Sequence, residues 1–128
     1  MSSISKKNYV SITYKGTKTS YPKKFCNYIF SEFTEGSKLL DIGCGNGDLT
    51  LELDAMGFDV HGIDMSEEHN LKDKFTKVDL QKDKYPFPDN HFDIVFSKSV
   101  IEHLREPDFL FDEVYRVLKP GGVFVCLT

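Results

Sequence analysis

The sequence predicts an α/β domain in which a mostly parallel sheet carries helices on its faces. Two observations predict it. Five compact apolar segments recur along the chain, at Lys38–Ile42, Asp59–Ile63, Lys74–Val78, Phe92–Ser97 and Gly122–Leu127, and stretches of helical periodicity separate them. The first, fourth and fifth are nearly continuous apolar runs, which is the pattern of parallel strands covered on both sides. Ligands are then expected beyond the carboxyl ends of the strands.

The intervening elements follow in order. Residues 1–20 are polar and poorly periodic and read as an arm. From Tyr21 to Glu35, Phe25, Tyr28, Ile29 and Phe33 fall at helical spacing, and Gly36 supplies a left-handed stop. Asp48–Met56 carries Leu49, Leu53 and Met56 on one helical face. Ser66–Lys72 reads as a short polar helix with Ser66 as its N-cap. Ser99–Leu104 is expected to be a short helix, closed by the turn around Pro107. Asp108–Leu118 carries Leu110, Val114, Val117 and Leu118, and the run Lys119-Pro120-Gly121-Gly122 stops it.

The chain has 128 residues, a length that suits one domain with one core. It is 40% hydrophobic and 28% charged, ordinary for a globular protein. No apolar run nears the roughly 18 residues a membrane span needs, and Met1–Val10 lacks the apolar stretch of a secretory signal. Cys26, Cys44 and Cys126 are odd in number and scattered, without paired metal-ligand spacing. A reducing cytoplasm is the expected compartment. The net charge of −4 is unevenly spread, because Lys6, Lys7, Lys15, Lys18, Lys23 and Lys24 precede the first acidic residue. Such a basic arm is either a solvated extension or an approach surface for an anionic partner such as RNA.

The segment Leu39–Gly47 runs from a strand into a helix and holds Gly43, Gly45 and Gly47. Alternating glycines permit a tight turn and let a ligand lie against the backbone. The spacing is G-x-G-x-G, one residue shorter than the dinucleotide fingerprint, which disfavours a nicotinamide-dependent oxidoreductase. Asp41 at the mouth of the first strand would repel a pyrophosphate and suits a ligand bearing ammonium and sulfonium charges. Asp64 ends the second strand, where a carboxylate can accept both ribose hydroxyls. Met65 follows it and can pack on a purine face. Asp79, after the third strand, can accept from an exocyclic amine. Three acids at successive strand ends are hard to assign to solubility alone.

These residues resemble class I S-adenosylmethionine-dependent methyltransferases of the small-molecule, UbiE-like kind over about residues 36–128. Leu39–Gly47 is similar to the family's first motif, His61–Ser66 to its acidic ribose loop, and Val78–Leu80 to its adenine segment. Pro86–Val95 resembles the proline-rich approach to the fourth strand, and Glu113–Gly122 the helix and turn before the fifth. The resemblance implies a Rossmann-like fold and S-adenosyl-L-methionine as cofactor. It implies that Gly43, Cys44, Gly45 and Gly47 line the methionine and ribose side, and that Asp41 holds the amino group. Asp64 would take the ribose, Asp79 the adenine amine, the Leu80 backbone the purine ring, and the Ser97 backbone the methionine portion. Residues 21–128 would then be the cofactor-binding core, ending just after the fifth strand. The resemblance would leave that strand's edge open and the cofactor weakly held.

Methyl transfer is a displacement at a carbon already activated by positive sulfur, so alignment is the main requirement. Glu102 and His103, just past the fourth strand, are the candidate catalytic pair. The stretch Ser99–His103 resembles the E-x-x-E-H pattern of metal-assisted O-methyltransferases, with Ser99 in place of the first acid. No metal site is therefore assigned, since magnesium prefers several oxygen ligands. The expected activity is methyl transfer to a small-molecule acceptor. The alternatives are a cofactor-binding module without catalysis, and a metal-assisted RNA or O-methyltransferase.

Overall fold

The computed structural model describes residues 8–11 and 22–128. Six strands form one sheet, β1 (Asn8–Ser11), β2 (Lys38–Ile42), β3 (Asp59–Asp64), β4 (Phe75–Lys77), β5 (Phe92–Lys98) and β6 (Leu118–Leu127). Their spatial order is β1-β6-β5-β2-β3-β4, and every pairing is parallel. The helices are α1 (Pro22–Phe30), α2 (Asp48–Ala55) and α3 (Pro107–Val117), with a single 3-10 turn at Ile101–His103.

Strand alternation sorts the core into two layers. Leu39, Val60, Ile94, Phe96 and Val125 face α1 and α2, where they meet Phe25, Ile29, Phe30 and Leu53. Leu40, Ile42, Ile63, Val95 and Phe124 face the other way, onto Leu110, Val114 and Val117 of α3. Both sides of β2 and β5 are therefore apolar, which is why these strands read as unbroken hydrophobic runs. From β2 the chain steps outward through β3 to β4, then returns to β5 on the opposite side of β2. That reversal opens a crevice between the carboxyl ends of β2 and β5.

Four features depart from the sequence reading. Asn8–Ser11, assigned there to the N-terminal arm of residues 1–20, pairs with Asn8 opposite Val123 and Ser11 opposite Cys126. The aromatic and β-branched run Tyr9-Val10-Ser11-Ile12-Thr13-Tyr14 carries the β-propensity that the lysines obscured. The edge of the last strand, expected to lie open, is consequently covered by β1. The rest of the arm, with Lys6, Lys7, Lys15 and Lys18, lies outside the described residues.

Ser66–Lys72 is not helical. Asp64 Oδ1 accepts from Ser66 N at 3.0 Å, Ser66 Oγ from Glu68 N at 3.2 Å and His69 Nδ1 from Leu71 N at 3.0 Å. Short polar side chains here satisfy the backbone locally and displace the helical ladder. Finally, β6 begins at Leu118 rather than Gly122. Phe92 pairs with Leu118 and Ile94 with Val123, so residues 119–122 bulge out around Gly121 at φ 82°.

Candidate functional site

The crevice between β2 and β5 holds a cleft of about 260 Å³, lined by Asp41, Gly43, Cys44, Asn46, Asp48, Leu49, Phe96 and Lys98. Gly43, Cys44 and Asn46 of this lining belong to the glycine loop. Gly43, Gly45 and Gly47 have φ of 70°, 58° and 94°, all left-handed, so a side chain would be strained at each position. Gly43 N and Cys44 N both reach Ile63 O, at 2.8 and 3.2 Å, which folds the loop onto the end of β3. A Cβ on Gly43 would collide with Val100, so the loop also abuts the segment that follows β5. A Cβ on Gly45 would meet nothing within 4 Å, leaving that backbone open to a ligand.

Asp41 and Asp64 lie close enough for their charges to interact. Asp41 is 3% exposed, and its Oδ2 accepts from Thr50 Oγ1 at 2.7 Å. Burial pushes its carboxyl up to about 7; the Thr50 hydroxyl pulls it down, and the charge on Asp64 adds to the rise. Asp64 spans two loops, its Oδ2 accepting from Gly45 N at 2.9 Å and its Oδ1 from Ser66 N at 3.0 Å. Each oxygen retains a lone pair for a further donor. Met65, next along, is 52% exposed beside this carboxylate.

The remaining predicted residues take distinct positions. Gly47 is buried and does not line the cleft, because Leu71 packs where its Cβ would be, 2.6 Å from Leu71 Cδ2. The Cys44 thiol is raised to about 12 by burial and then by Asp41 and Asp64, so it stays protonated and fills space. Asp79 is half-buried in a turn beyond β4, accepting from Gln81 N at 3.0 Å. The Leu80 side chain is core, and its carbonyl accepts from Tyr85 Oη at 2.9 Å. Ser97 is fully buried, with no partner for Oγ among the described residues. Glu102 and His103 are exposed on the 3-10 turn, apart from the cleft lining. Burial and then Glu102 raise the Cys126 thiol, so Glu102 lies near that β6 residue. Among the described residues, no three His, Cys, Asp or Glu side chains form a cation site.

Sequence reasoning missed Thr50, Phe96 and Lys98. The signal for the last two was present, since residues 96 and 98 alternate onto the same face of β5 as Asp41 occupies on β2. Gln81 was also missed. Its Oε1 accepts from Arg105 N at 2.6 Å and Glu106 N at 2.9 Å, tying the turn beyond β4 to the approach to α3. Long-range side-chain bonds of this kind leave no periodic trace.

Comparison with known proteins bears on this geometry. Residues 40–126 match the family described as methyltransferase domain. The chain belongs to the class I S-adenosylmethionine-dependent methyltransferases. Phosphoethanolamine N-methyltransferase 2 of Caenorhabditis elegans is 38% identical over 104 residues, covering 73% of this chain and 24% of that protein. Demethylmenaquinone methyltransferase of Symbiobacterium thermophilum is 38% identical over 112 residues, covering 76% of this chain and 44% of the relative. Among solved structures, Haemonchus contortus phosphoethanolamine N-methyltransferase 2 in complex with S-adenosyl-L-methionine superimposes with a TM-score of 0.66 at 32% identity, over 80% of this chain and 27% of the other. The methyltransferase-domain chain thus spans less than half the length of these relatives.

Proposed function

We propose that this chain holds S-adenosyl-L-methionine across the β2–β5 crevice and directs its methyl group to a small-molecule acceptor. The observation that carries the reading is the pairing of two strand-end carboxylates with one glycine loop. Asp64 Oδ2 stands 2.9 Å from Gly45 N, and Asp41 lines the cleft beside Gly43. A pyrophosphate would be repelled there, whereas a cationic nucleoside is attracted. The donor set fits S-adenosylmethionine, and the open face over Gly45 supplies backbone for its contact.

In this reading Asp41 receives the ammonium and Asp64 the ribose hydroxyls. Charge-assisted hydrogen bonds of this kind are worth roughly 1.5–3 kcal/mol each. Gly43, Cys44 and Gly45 line the ligand, and Gly47 sets the helix start that aims them. Met65 packs on the purine, Asp79 takes its amine and the Leu80 backbone its ring. The Ser97 backbone meets the methionine portion. Bound S-adenosylmethionine supplies a methyl carbon activated by positive sulfur. The protein's task is to align the acceptor, and positioning of this kind can contribute about 7–11 kcal/mol. Glu102 and His103, exposed beyond β5, are the groups that would orient the acceptor or take its proton.

The relatives' names support a small acceptor, since two act on phosphoethanolamine or demethylmenaquinone. An RNA acceptor would draw on the lysine-rich arm and on Lys23 and Lys24, exposed just after it on α1. Free cysteines at 26, 44 and 126 favour a cytoplasmic setting. Among the described residues, no helix is long and apolar enough to cross a membrane. Calorimetric titration with S-adenosylhomocysteine and with NADH tests the cofactor. Binding of the first alone is expected, and binding of NADH alone overturns the reading. Turnover of labelled S-adenosylmethionine with phosphorylated amines, quinols and RNA then tests the acceptor. Methylation confined to RNA would replace the small-molecule proposal.

A further inference from the structure

The cleft has a charge that the nucleoside end of the ligand does not require. Lys98 lines it, together with Asp41 and Asp48. Among the described residues, no other basic side chain does so. Lys98 forms no ion pair among the described residues, although two carboxylates share its cleft. Its Nζ instead stands 5.8 Å from the centroid of the Phe25 ring on α1. That contact can steady the ammonium without neutralising it.

The sheet register fixes where this cation sits. Asp41 pairs with Phe96 on the neighbouring strand, so Lys98 lies two residues further toward the carboxyl end. Both project to the same face, as Phe96 does. With parallel strands about 4.8 Å apart and rising about 3.3 Å per residue, the two backbones are about 8 Å apart on the diagonal. A short carboxylate and a long lysine can then present opposite charges a few ångströms apart across the opening.

We propose that Lys98 is the counter-cation for a carboxylate, so that Asp41 and Lys98 together read the zwitterionic amino-acid end of the ligand. This rests on the cofactor reading above and deepens it. The cleft then selects a nucleoside that carries both an ammonium and a carboxylate, and rejects one that has lost the carboxylate. Lys98 is a specificity determinant here. It takes no part in moving the methyl group.

The test is calorimetric titration of the full chain with S-adenosylhomocysteine and with its decarboxylated analogue, the aminopropylthio-adenosine that retains the ammonium. The wild type is expected to prefer S-adenosylhomocysteine at least tenfold. Lys98→Met should bind both ligands alike, at the weaker level, and Lys98→Arg should restore the preference. Thermal melting of both variants reports whether the fold persists; if Lys98→Met does not fold, the wild-type preference and Lys98→Arg decide. No preference in the wild type, or a tenfold preference surviving in folded Lys98→Met, overturns the proposal while leaving the cofactor reading intact. If the wild type binds neither ligand, the cofactor reading falls and takes this inference with it.

Discussion

Thr50 Oγ1 donates a 2.7 Å hydrogen bond to Asp41 Oδ2, so the first turns of α2 hold the carboxylate that ends β2. This bond links the glycine loop's two flanks and occupies one oxygen of a carboxylate that lines the cleft.

Asp41 should make ligand binding depend on pH. Burial raises its carboxyl to about 7, against a smaller lowering by Thr50. An ammonium ligand needs the ionised form, so affinity for S-adenosylhomocysteine should rise between pH 6 and 8. Asp41→Asn should flatten that profile at a weaker level. Stability runs the other way. A carboxyl whose folded value exceeds its unfolded one contributes stability in full below the unfolded value, and loses it as pH rises through the folded one. The ligand-free chain should therefore lose stability from about pH 4 to 7 relative to Asp41→Asn, by at most about 4 kcal/mol. Thermal melts of both proteins across that range measure the difference, and parallel curves would refute the buried-carboxyl account.

Asp64 is tied to two backbones, so its removal should act on the loop and on the ligand together. Asp64→Ala frees Gly45 N and Ser66 N and should cost about 1–3 kcal/mol of stability. Affinity for S-adenosylhomocysteine and for adenosine should fall together, each at least tenfold. Lys98→Met should leave adenosine binding unchanged, because adenosine has no carboxylate. Unaltered adenosine affinity in Asp64→Ala would refute its ribose role.

Periodicity revealed the elements that bury a face, and little else. β2 and β5 are apolar on both sides, so Leu39–Ile42 and Ile94–Phe96 read directly as strands. Asp41 and Asp64 were legible because strand ends in such sheets face ligands. Features made by single polar contacts were not. Asp64, Ser66 and His69 turn a helical-looking segment into a loop. β1 gains its place from the edge of β6, a partner more than a hundred residues distant in sequence. Lys98 looked like an ordinary charge after a strand until the register set it two residues beyond Phe96, the partner of Asp41.

Gly45 and Gly47 should fail for different reasons. Both have left-handed φ, so alanine strains the backbone at either, by about 1–2 kcal/mol. At Gly45 the added carbon meets nothing, while at Gly47 it would lie 2.6 Å from Leu71 Cδ2. Gly47→Ala should therefore lower the melting temperature more than Gly45→Ala. Gly45→Ala should weaken S-adenosylhomocysteine binding disproportionately, since its methyl group occupies the open loop face. Equal losses of stability would contradict this packing, and unchanged binding in Gly45→Ala would remove that backbone from the site.

The pair Glu113–Arg116 on α3 should control the shelf beneath the sheet. Glu113 Oε1 accepts from Tyr85 N at 2.7 Å and from Arg116 Nη2 at 2.9 Å, and its Oε2 accepts from Arg116 Nε at 3.1 Å. Arg116 extends the bracket to Phe87 O and Tyr85 O, both at 2.8 Å. The loop that leads from the Leu80 turn to β5 is thereby pinned by one helix turn. Removing Glu113 would leave the Tyr85 amide unpaired and the guanidinium with only Asp89 and two carbonyls, so Glu113→Ala should cost about 1–3 kcal/mol. Burial works to raise the Glu113 carboxyl, but Arg116 and the Tyr85 amide outweigh it and hold it below the usual value. A carboxyl lowered in the fold contributes stability above its unfolded value and loses it as pH falls through the folded one. The wild type should thus lose its advantage over Glu113→Gln as pH drops below 4.5. Tyr85 also bonds Leu80 O, so loosening it should soften the turn proposed for adenine and weaken adenosine binding several-fold. Chemical denaturation at pH 7 and pH 3.5, with adenosine titration at pH 7, measures both effects. An advantage that persists undiminished in acid would show that the pair acts through packing alone.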